Sequence, residues 1–435
     1  MKRIIILLIA LTLFFTACGS ENNPSNLPSG QISGITSETN SSHNIPDVQQ
    51  GLSIISNDGF ATQNGFYYLE SKPLDGIGLC SLIMYLDVPS MLQIPLCNKP
   101  DCKHVDVSCN AVVKSGLINA VLFTTQKMLY LIEPDSGPDD IPGGLGGRMN
   151  LPQALYSMNM DGTSRTKLLE FASGVNIRGP YVINGNKLYC VQNKIKSEYV
   201  NNDEKNIIIN NGGLYESSEL ICIDLEKKTT EVICDFEGKF VIGVYKNSLI
   251  IETTYIDEEY KKLDPDKAGQ YYNSLDRAVT ALDLSTKEEK TYIKVKVPQI
   301  DNTVQEGGTV CFLDGKKVKK LNLETGEITD VSAVPVKPRI YLSRIVNGRL
   351  MYSYSDNADV RTELEHHYYY DFASGENKVR TLYEESPDKA VVEIVSEFGG
   401  SYIVITKRED TPRYALIKKS DYLASKASCT YFEED

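Results

Sequence analysis

The sequence has no tryptophan, only four histidines, and little helical periodicity. The tryptophan absence removes the usual aromatic platform for sugars, and with it the tryptophan-dependent signatures of sialidase-type and quinone-dependent enzymes. No G-x-S-x-G elbow and no H-E-x-x-H pair occurs, so neither a serine hydrolase site nor a zinc protease site of those types is encoded. The glycine-rich run Gly143–Gly147 lacks the lysine and the strand-to-helix setting of a phosphate loop. Basic charge is in deficit: 45 Lys and Arg stand against 58 Asp and Glu, for a formal charge of −13. That balance disfavours nucleic acid and anionic lipid surfaces as nonspecific partners.

Long apolar runs are equally scarce, with one exception at the start. Lys2 and Arg3 precede an apolar stretch from Ile4 to Phe15, and Thr16 and Ala17 then lead into Cys18. A basic start, a short apolar run and small residues at its exit read as a secretory leader over 1–17, too short for a stable membrane span. Phe15-Thr16-Ala17-Cys18 resembles the bacterial lipobox. That resemblance implies a diacylated Cys18 at the outer face of the cytoplasmic membrane of a Gram-positive cell. Residues 18–50 are rich in Ser, Asn, Gly and Pro. Such a composition cannot bury enough surface to offset its ordering entropy, and reads as a flexible tether. The folded domain is expected over 51–435.

That domain repeats itself. An Asn-Gly or similar turn is followed by a short alternating strand, then a variable insert, then a strand ending in an Asp-containing turn. Clear copies are Asn64–Leu69 with Leu82–Asp87, Asn184–Cys190 with Leu220–Leu225, and Asn347–Tyr352 with Tyr368–Phe372. Seven such copies predict an all-β chain and a seven-bladed β-propeller. A pair of β-sandwiches is the competing architecture, but it has no need of the same signature seven times. The segment Glu258–Ala278 is the best helical candidate, and Pro265 interrupts it. Tyr156-Ser157-Met158-Asn159-Met160-Asp161-Gly162-Thr163-Ser164-Arg165 resembles the blade motif of TolB-like propellers, which implies the same fold and names no function.

The long inserts fall between the second and third strands of a unit, at 134–152, 194–218, 257–276 and 355–367. In an up-and-down blade these connections share one end of the ring, where binding loops would sit. Tyr199, Tyr215, Tyr260, Tyr271, Tyr272 and Tyr368 lie in or beside them. A tyrosine offers a flat apolar body with a polar tip and suits a peptide or polysaccharide ligand. It is also common in strands, so Tyr368–Tyr370 has a plain packing alternative. Glu363, Glu365, His366 and His367 read as a solvated loop rather than a metal site.

The sharpest local motif runs from Cys97 to Ala111, in a loop that follows the first blade and precedes the second, with the spacing C-x4-C-x-H-x4-C over Cys97, Cys102, His104 and Cys109. Cys3His is a zinc donor set, although this spacing matches no standard knuckle or ribbon. An extracytoplasmic disulfide between two of the cysteines is the alternative, and reduced structural thiols a third. Cys97-Asn98-Lys99-Pro100-Asp101-Cys102-Lys103-His104, with the later Cys109-Asn110-Ala111, resembles a loop of uncharacterised surface lipoproteins of clostridia-like bacteria. That implies a family, not a role. Cys190, Cys222 and Cys311 read as buried small hydrophobes. The expected function is a membrane-anchored propeller that binds a peptide, a cell-wall polymer or a protein. A polysaccharide lyase or hydrolase and an envelope scaffold are the alternatives.

Overall fold

The computed structural model describes residues 52–56, 59–74, 78–113, 120–125, 127–134, 152–196, 215–263, 267, 271–272, 274–296, 301–357, 366–379, 391–408, 411–424, 426 and 428–434. The leader, Cys18, the tether, Tyr199, Gly143–Gly147, Glu363 and Glu365 lie outside them, as does most of three of the inserts. Among the described residues no helix is long and apolar enough to cross a membrane.

Seven small antiparallel sheets form a ring, which is the expected seven-bladed β-propeller. Blade 1 is built on Phe60–Ala61, Gly65–Leu74, Gly78–Asp87 and Leu92–Pro95. Blade 2 runs from Val121 to Glu170, blade 3 from Val175 to Asp235 and blade 4 from Lys239 to Lys296. Blade 5 spans Asp301–Asp330, blade 6 Arg339–Val379 and blade 7 Val391–Tyr431. Within each blade the strands follow chain order from one edge to the other. First strands of neighbouring blades touch, in blades 4 and 5, 5 and 6, and 7 and 1, and so line the axis.

The alternation in the sequence has a stricter cause than a single buried face. In blade 3 the second strand, Lys187–Ile195, sends Leu188 and Cys190 into the core shared with blade 2, and Tyr189 and Val191 into the core shared with blade 4. Middle strands are therefore apolar on both sides, as in Met128–Pro134 and Asp276–Asp283. Each fully buried Leu or Ile contributes about 1.5–3 kcal/mol. Outer strands such as Ile328–Asp330 and Glu376–Val379 are exposed throughout. They meet water, so they carry charge and almost no pattern.

The Asp-containing turn of the repeat also has a physical origin. After the third strand, a side-chain oxygen accepts backbone N–H groups two and three residues on. Asp224 accepts from Glu226 and Lys227, Asp283 from Ser285 and Thr286, and Asp371 from Ala373 and Ser374. Asn322 does the same for Glu324 and Thr325 in blade 5. These are Asx turns, which satisfy donors that the sheet leaves unpaired. The turns between first and second strands use left-handed residues instead, such as Asn347 (φ 49°) and Gly348 (φ 70°).

Because successive strands are antiparallel, the 1–2 and 3–4 turns emerge at one end of the ring, the hairpin face. The 2–3 connections emerge at the other, the insert face. All four long inserts belong to the second kind. The helical candidate Glu258–Ala278 is helical only in part: a 3-10 turn covers Tyr260–Lys262, Lys267, Tyr271 and Tyr272 are α-helical, and a strand has begun by Asp276.

Two additions break the sevenfold pattern. Ser53–Ile55 pairs antiparallel with the first strand of blade 3, Ser53 opposite Ile183 and Ile55 opposite Tyr181. It lies on the axis side of that strand. The next described strand, Phe60–Ala61, belongs to blade 1, so the chain passes from blade 3 to blade 1 before blade 2 is built. At the other end of the chain, Glu433–Glu434 adds a parallel strand to Leu92–Pro95 of blade 1.

Candidate metal centre

The third strand of blade 1, Gly78–Asp87, has a split partner. Leu92–Pro95 pairs with its Met84–Asp87 end, and Val112–Val113 with Ser81 and Leu82. Both roots of the split hold Ile83: the Leu96 N–H donates to its carbonyl and its own N–H donates to the Ala111 carbonyl, each at 2.8 Å. The cysteine motif is thus an excursion from the outer strand of blade 1. The expectation from the sequence was a linker between blades 1 and 2, and the structure corrects it.

The excursion folds on itself. Cys102 N–H donates to the Lys99 carbonyl at 3.4 Å, and Cys109 N–H to the Asp106 carbonyl at 3.1 Å. Lys99 Nζ reaches back to the Ser108 carbonyl, and Asn110 Nδ2 donates to Asn98 Oδ1 at 3.1 Å. Asp101 and His104 adopt left-handed backbone, with φ of 56° and 54°. Tight reversals at these two residues bring together donors that are far from a regular chelate in sequence.

The result is convergence. One donor atom from each of Cys97, Cys102, His104 and Cys109 lies within 4.8 Å of every other. His104 Nδ1 is 3.2 Å from Cys109 Sγ. Sulfurs around a tetrahedral zinc, each about 2.3 Å from the ion, stand roughly 3.8 Å apart. The four donors are close to that cage, and a disulfide would engage only two of them. All nine cysteines among the described residues are free thiols. Cys109 is 3% exposed, and the cluster is closed on its inner side by the blade 1 core.

The electrostatics fit a cation. Burial pushes the Cys109 thiol up to about 12, with the Cys97 and Cys102 thiols adding to it. At Cys97 burial acts in the same direction, but N–H groups of Lys99 and Asn110 and the two neighbouring thiols outweigh it and hold its thiol below the usual value. Burial, then the Lys72 charge, lowers the His104 imidazole, which keeps it neutral and able to donate a lone pair. Such a site holds one thiolate readily; three need a divalent charge among them.

The expected tyrosine cluster is only partly assembled. Tyr260, Tyr271 and Tyr272 come together in the blade 4 insert. Tyr260 and Tyr272 have ring centroids 5.7 Å apart, and the Arg277 guanidinium lies 5.3 Å from the Tyr272 ring. The Tyr271 hydroxyl is shared between Asp257 Oδ2 at 2.9 Å and Glu259 Oε2 at 3.1 Å, which raises its pKa. Tyr215 stands apart in blade 3, under Arg178 at 5.9 Å. Tyr368 stacks between Tyr352 and Tyr354 in blade 6, with centroids at 5.8 and 5.5 Å, and packs on the blade 5–6 core. His366 and His367 diverge: one lies 4.8 Å from the Tyr354 ring, and the other meets Ser353 Oγ at 2.7 Å.

One concavity has no counterpart among the motifs read from the chain. A cavity of about 470 Å³ opens on the axis, lined by Ile54, Ile55, Pro180, Phe240, Ile242 and Thr303 among others. Phe240 is 60% exposed there and Ile54 41%. Its only sequence signal is a three-residue apolar strand, too short for periodicity.

No family model and no curated protein matches the sequence. Solved structures resemble the fold at low identity. One is an acylaminoacyl peptidase in complex with Z-Gly-Gly-Phe-chloromethyl ketone (12% identity, TM-score 0.50, covering 88% of this chain and 52% of that one). Another is a Mycobacterium tuberculosis puromycin-hydrolyzing peptidase (9% identity, TM-score 0.52, 88% and 54%). TolB from Acinetobacter baumannii also matches (10% identity, TM-score 0.34, 83% and 78%). The chain spans about half the length of the two peptidases, and the likeness to them is one of β-propeller fold alone.

Proposed function

We propose that this chain is a lipid-anchored, extracytoplasmic binding propeller whose Cys97, Cys102, His104 and Cys109 hold one structural zinc ion. The observation that carries the reading is the donor set. Four protein donors fill a tetrahedron and leave no position for water or substrate, which is the mark of a structural rather than a catalytic zinc. The ion, when bound, supplies charge for three thiolates and fixes the loop. The chain's own residues do the rest: Lys99 and Asn98 tie the loop together, and Ile83 holds both of its roots.

The partner is captured at the insert face. The 2–3 connections share that end of the ring, and Tyr260, Tyr271 and Tyr272 meet there with Asp257, Glu259 and Arg277 beside them. This mixture of aromatic and charged groups suits a peptide, a cell-wall polymer or a protein segment. Cys18 carries the anchor, and the tether lets the ring stand off the membrane.

Native and denaturing mass spectrometry of an anaerobic preparation of residues 19–435 tests the metal. A single zinc adduct, lost on denaturation and absent from Cys102→Ser, is expected. A mass two hydrogens short with no adduct makes the loop a disulfide staple and ends the zinc reading. For the anchor, labelled palmitate should enter the full chain and not Cys18→Ser; equal labelling of the two ends that part.

A further inference from the structure

The metal loop sits where the ring closes. Blades 2 to 6 are each flanked by chain neighbours, whereas among the described residues blade 1 and blade 7 meet through their first strands, a shared core and the last few residues. After the outer strand of blade 7, Thr430–Tyr431, the chain reaches across to blade 1. There Glu433 N–H donates to the Met91 carbonyl at 2.9 Å, and Glu433–Glu434 lies parallel to Leu92 and Gln93. Two residue pairs of parallel sheet are a weak fastening by themselves.

Phe432 makes the fastening hold. It is 5% exposed and belongs to a core that joins Phe66, Tyr68, Leu82 and Met84 of blade 1 to Ile403 of blade 7. Cys109 is a buried member of the same core, and Cys97 and Cys102 pack against it. The cysteines of the candidate site therefore share one buried cluster with Phe432. Cys97 is also only two residues beyond Pro95, the end of the strand that receives Glu433–Glu434. Fixing Cys97 fixes that edge.

We propose that the metal centre is the clasp of the ring: the loaded Cys3His loop holds the outer edge of blade 1 and the pocket for Phe432, and so keeps the C-terminal strand closed across the seam between blades 7 and 1. This rests on the metal reading above. Without the ion, the loop keeps the hydrogen bonds of Lys99 and Asn110 but loses the link between its four donors, and the left-handed residues Asp101 and His104 are held less firmly. The seam then opens locally while the other blades stay shut. Linkage makes the coupling reciprocal: whatever the ion adds to closure, closure adds to affinity for the ion.

The test is hydrogen exchange on the full mature chain, anaerobic, with zinc and with chelator, alongside zinc affinity measured by competition with a chromophoric chelator. Removal of zinc should speed exchange at Leu92–Ile94 and Phe432–Glu434 by tenfold or more, with Ser248–Thr254 of blade 4 unchanged. Phe432→Ala should weaken zinc binding by about 5- to 150-fold, the span of typical coupling energies. A chain ending at Phe432 should do so less, which guards against a variant that fails to fold. Zinc that binds with the same affinity to all three chains, and leaves exchange at Phe432–Glu434 unaltered, overturns the clasp and keeps the metal site. Failure to bind zinc at all overturns both.

Discussion

Blades 1 and 5 are built on the same four-strand frame and put it to opposite ends. Blade 5 is the bare repeat: glycine turns at Gly307 and Gly315, an Asx turn at Asn322, and an outer strand of three exposed residues. Its cysteine, Cys311, is fully buried, and among the described residues no group of metal donors includes it. Blade 1 interrupts its outer strand to carry four metal donors and accepts a strand from the far end of the chain. Middle strands cannot be interrupted without opening two cores, whereas outer strands such as Ile328–Asp330 and Glu376–Val379 are exposed. The difference teaches where a propeller can take on new work.

The largest expected effect breaks this comparison directly. Cys109→Ser should reduce bound zinc from about one per chain to background, while Cys311→Ser leaves it unchanged; elemental analysis of the two purified variants decides. An ion present at 1,000 times its dissociation constant stabilises by about 4 kcal/mol, and Cys109→Ser should forfeit that in thermal unfolding. Next in size, Asp371→Ala removes the acceptor of two backbone N–H groups and of Arg349, at a cost of about 1–2 kcal/mol by denaturant titration.

Acid separates the blades in a graded way. The Lys227 N–H foremost holds the Asp224 carboxyl below its usual range, and the Ser285 hydroxyl and Thr286 N–H do so for Asp283. At Asp371 burial pushes upward, but the N–H groups of Ala373 and Ser374 and the Arg349 charge outweigh it. A depressed carboxyl stabilises the fold above its unfolded value, about 3.9, and the contribution is lost as pH falls through the lower folded value. Amides at Thr286 and Ser374 should therefore lose protection below about pH 4, after correction for intrinsic exchange rates. The Thr325 amide, held by the neutral Asn322, should not, and Asn322→Asp should make it follow the others.

Smaller still is Gly348→Ala. The space around its Cβ is empty, but φ is 70°, so strain alone should cost about 1 kcal/mol. Smallest in stability is Tyr271→Phe, expected within about 0.5 kcal/mol of wild type because the hydroxyl is exposed. Its weight falls on binding: a partner captured at the insert face should bind this variant more weakly, and equal affinity removes Tyr271 from that surface.

The frame of the molecule could be read from the chain because middle strands and Asx turns leave strong local marks. Leu188-Tyr189-Cys190-Val191 and the aspartates at 224, 283 and 371 announce blades without any knowledge of their neighbours. The outer strands leave none: Leu92–Pro95 and Glu376–Val379 look like loop, so the cysteine motif was placed between blades instead of inside one. The four donors could be read together as a metal or disulfide site, with no local signal to choose between the two. Their convergence depends on left-handed turns at Asp101 and His104, residues that the spacing does not mark, and on a core completed by Phe432, more than 300 positions away. Closure by Glu433–Glu434 and the axial strand Ser53–Ile55 are contacts of high sequence separation and short length, which no local pattern encodes.

That axial strand has a mechanical consequence. Ser53 faces Ile183, beside the 1–2 turn of blade 3, so Leu52 enters the strand at the hairpin face. Tension on the chain at Leu52 runs along the strand. The pairs at Ser53, Ile54 and Ile55 are then loaded in shear and must slide together, rather than peel one after another like a zipper. A ring loaded at Leu52 is gripped near its axis, at the end opposite the insert face.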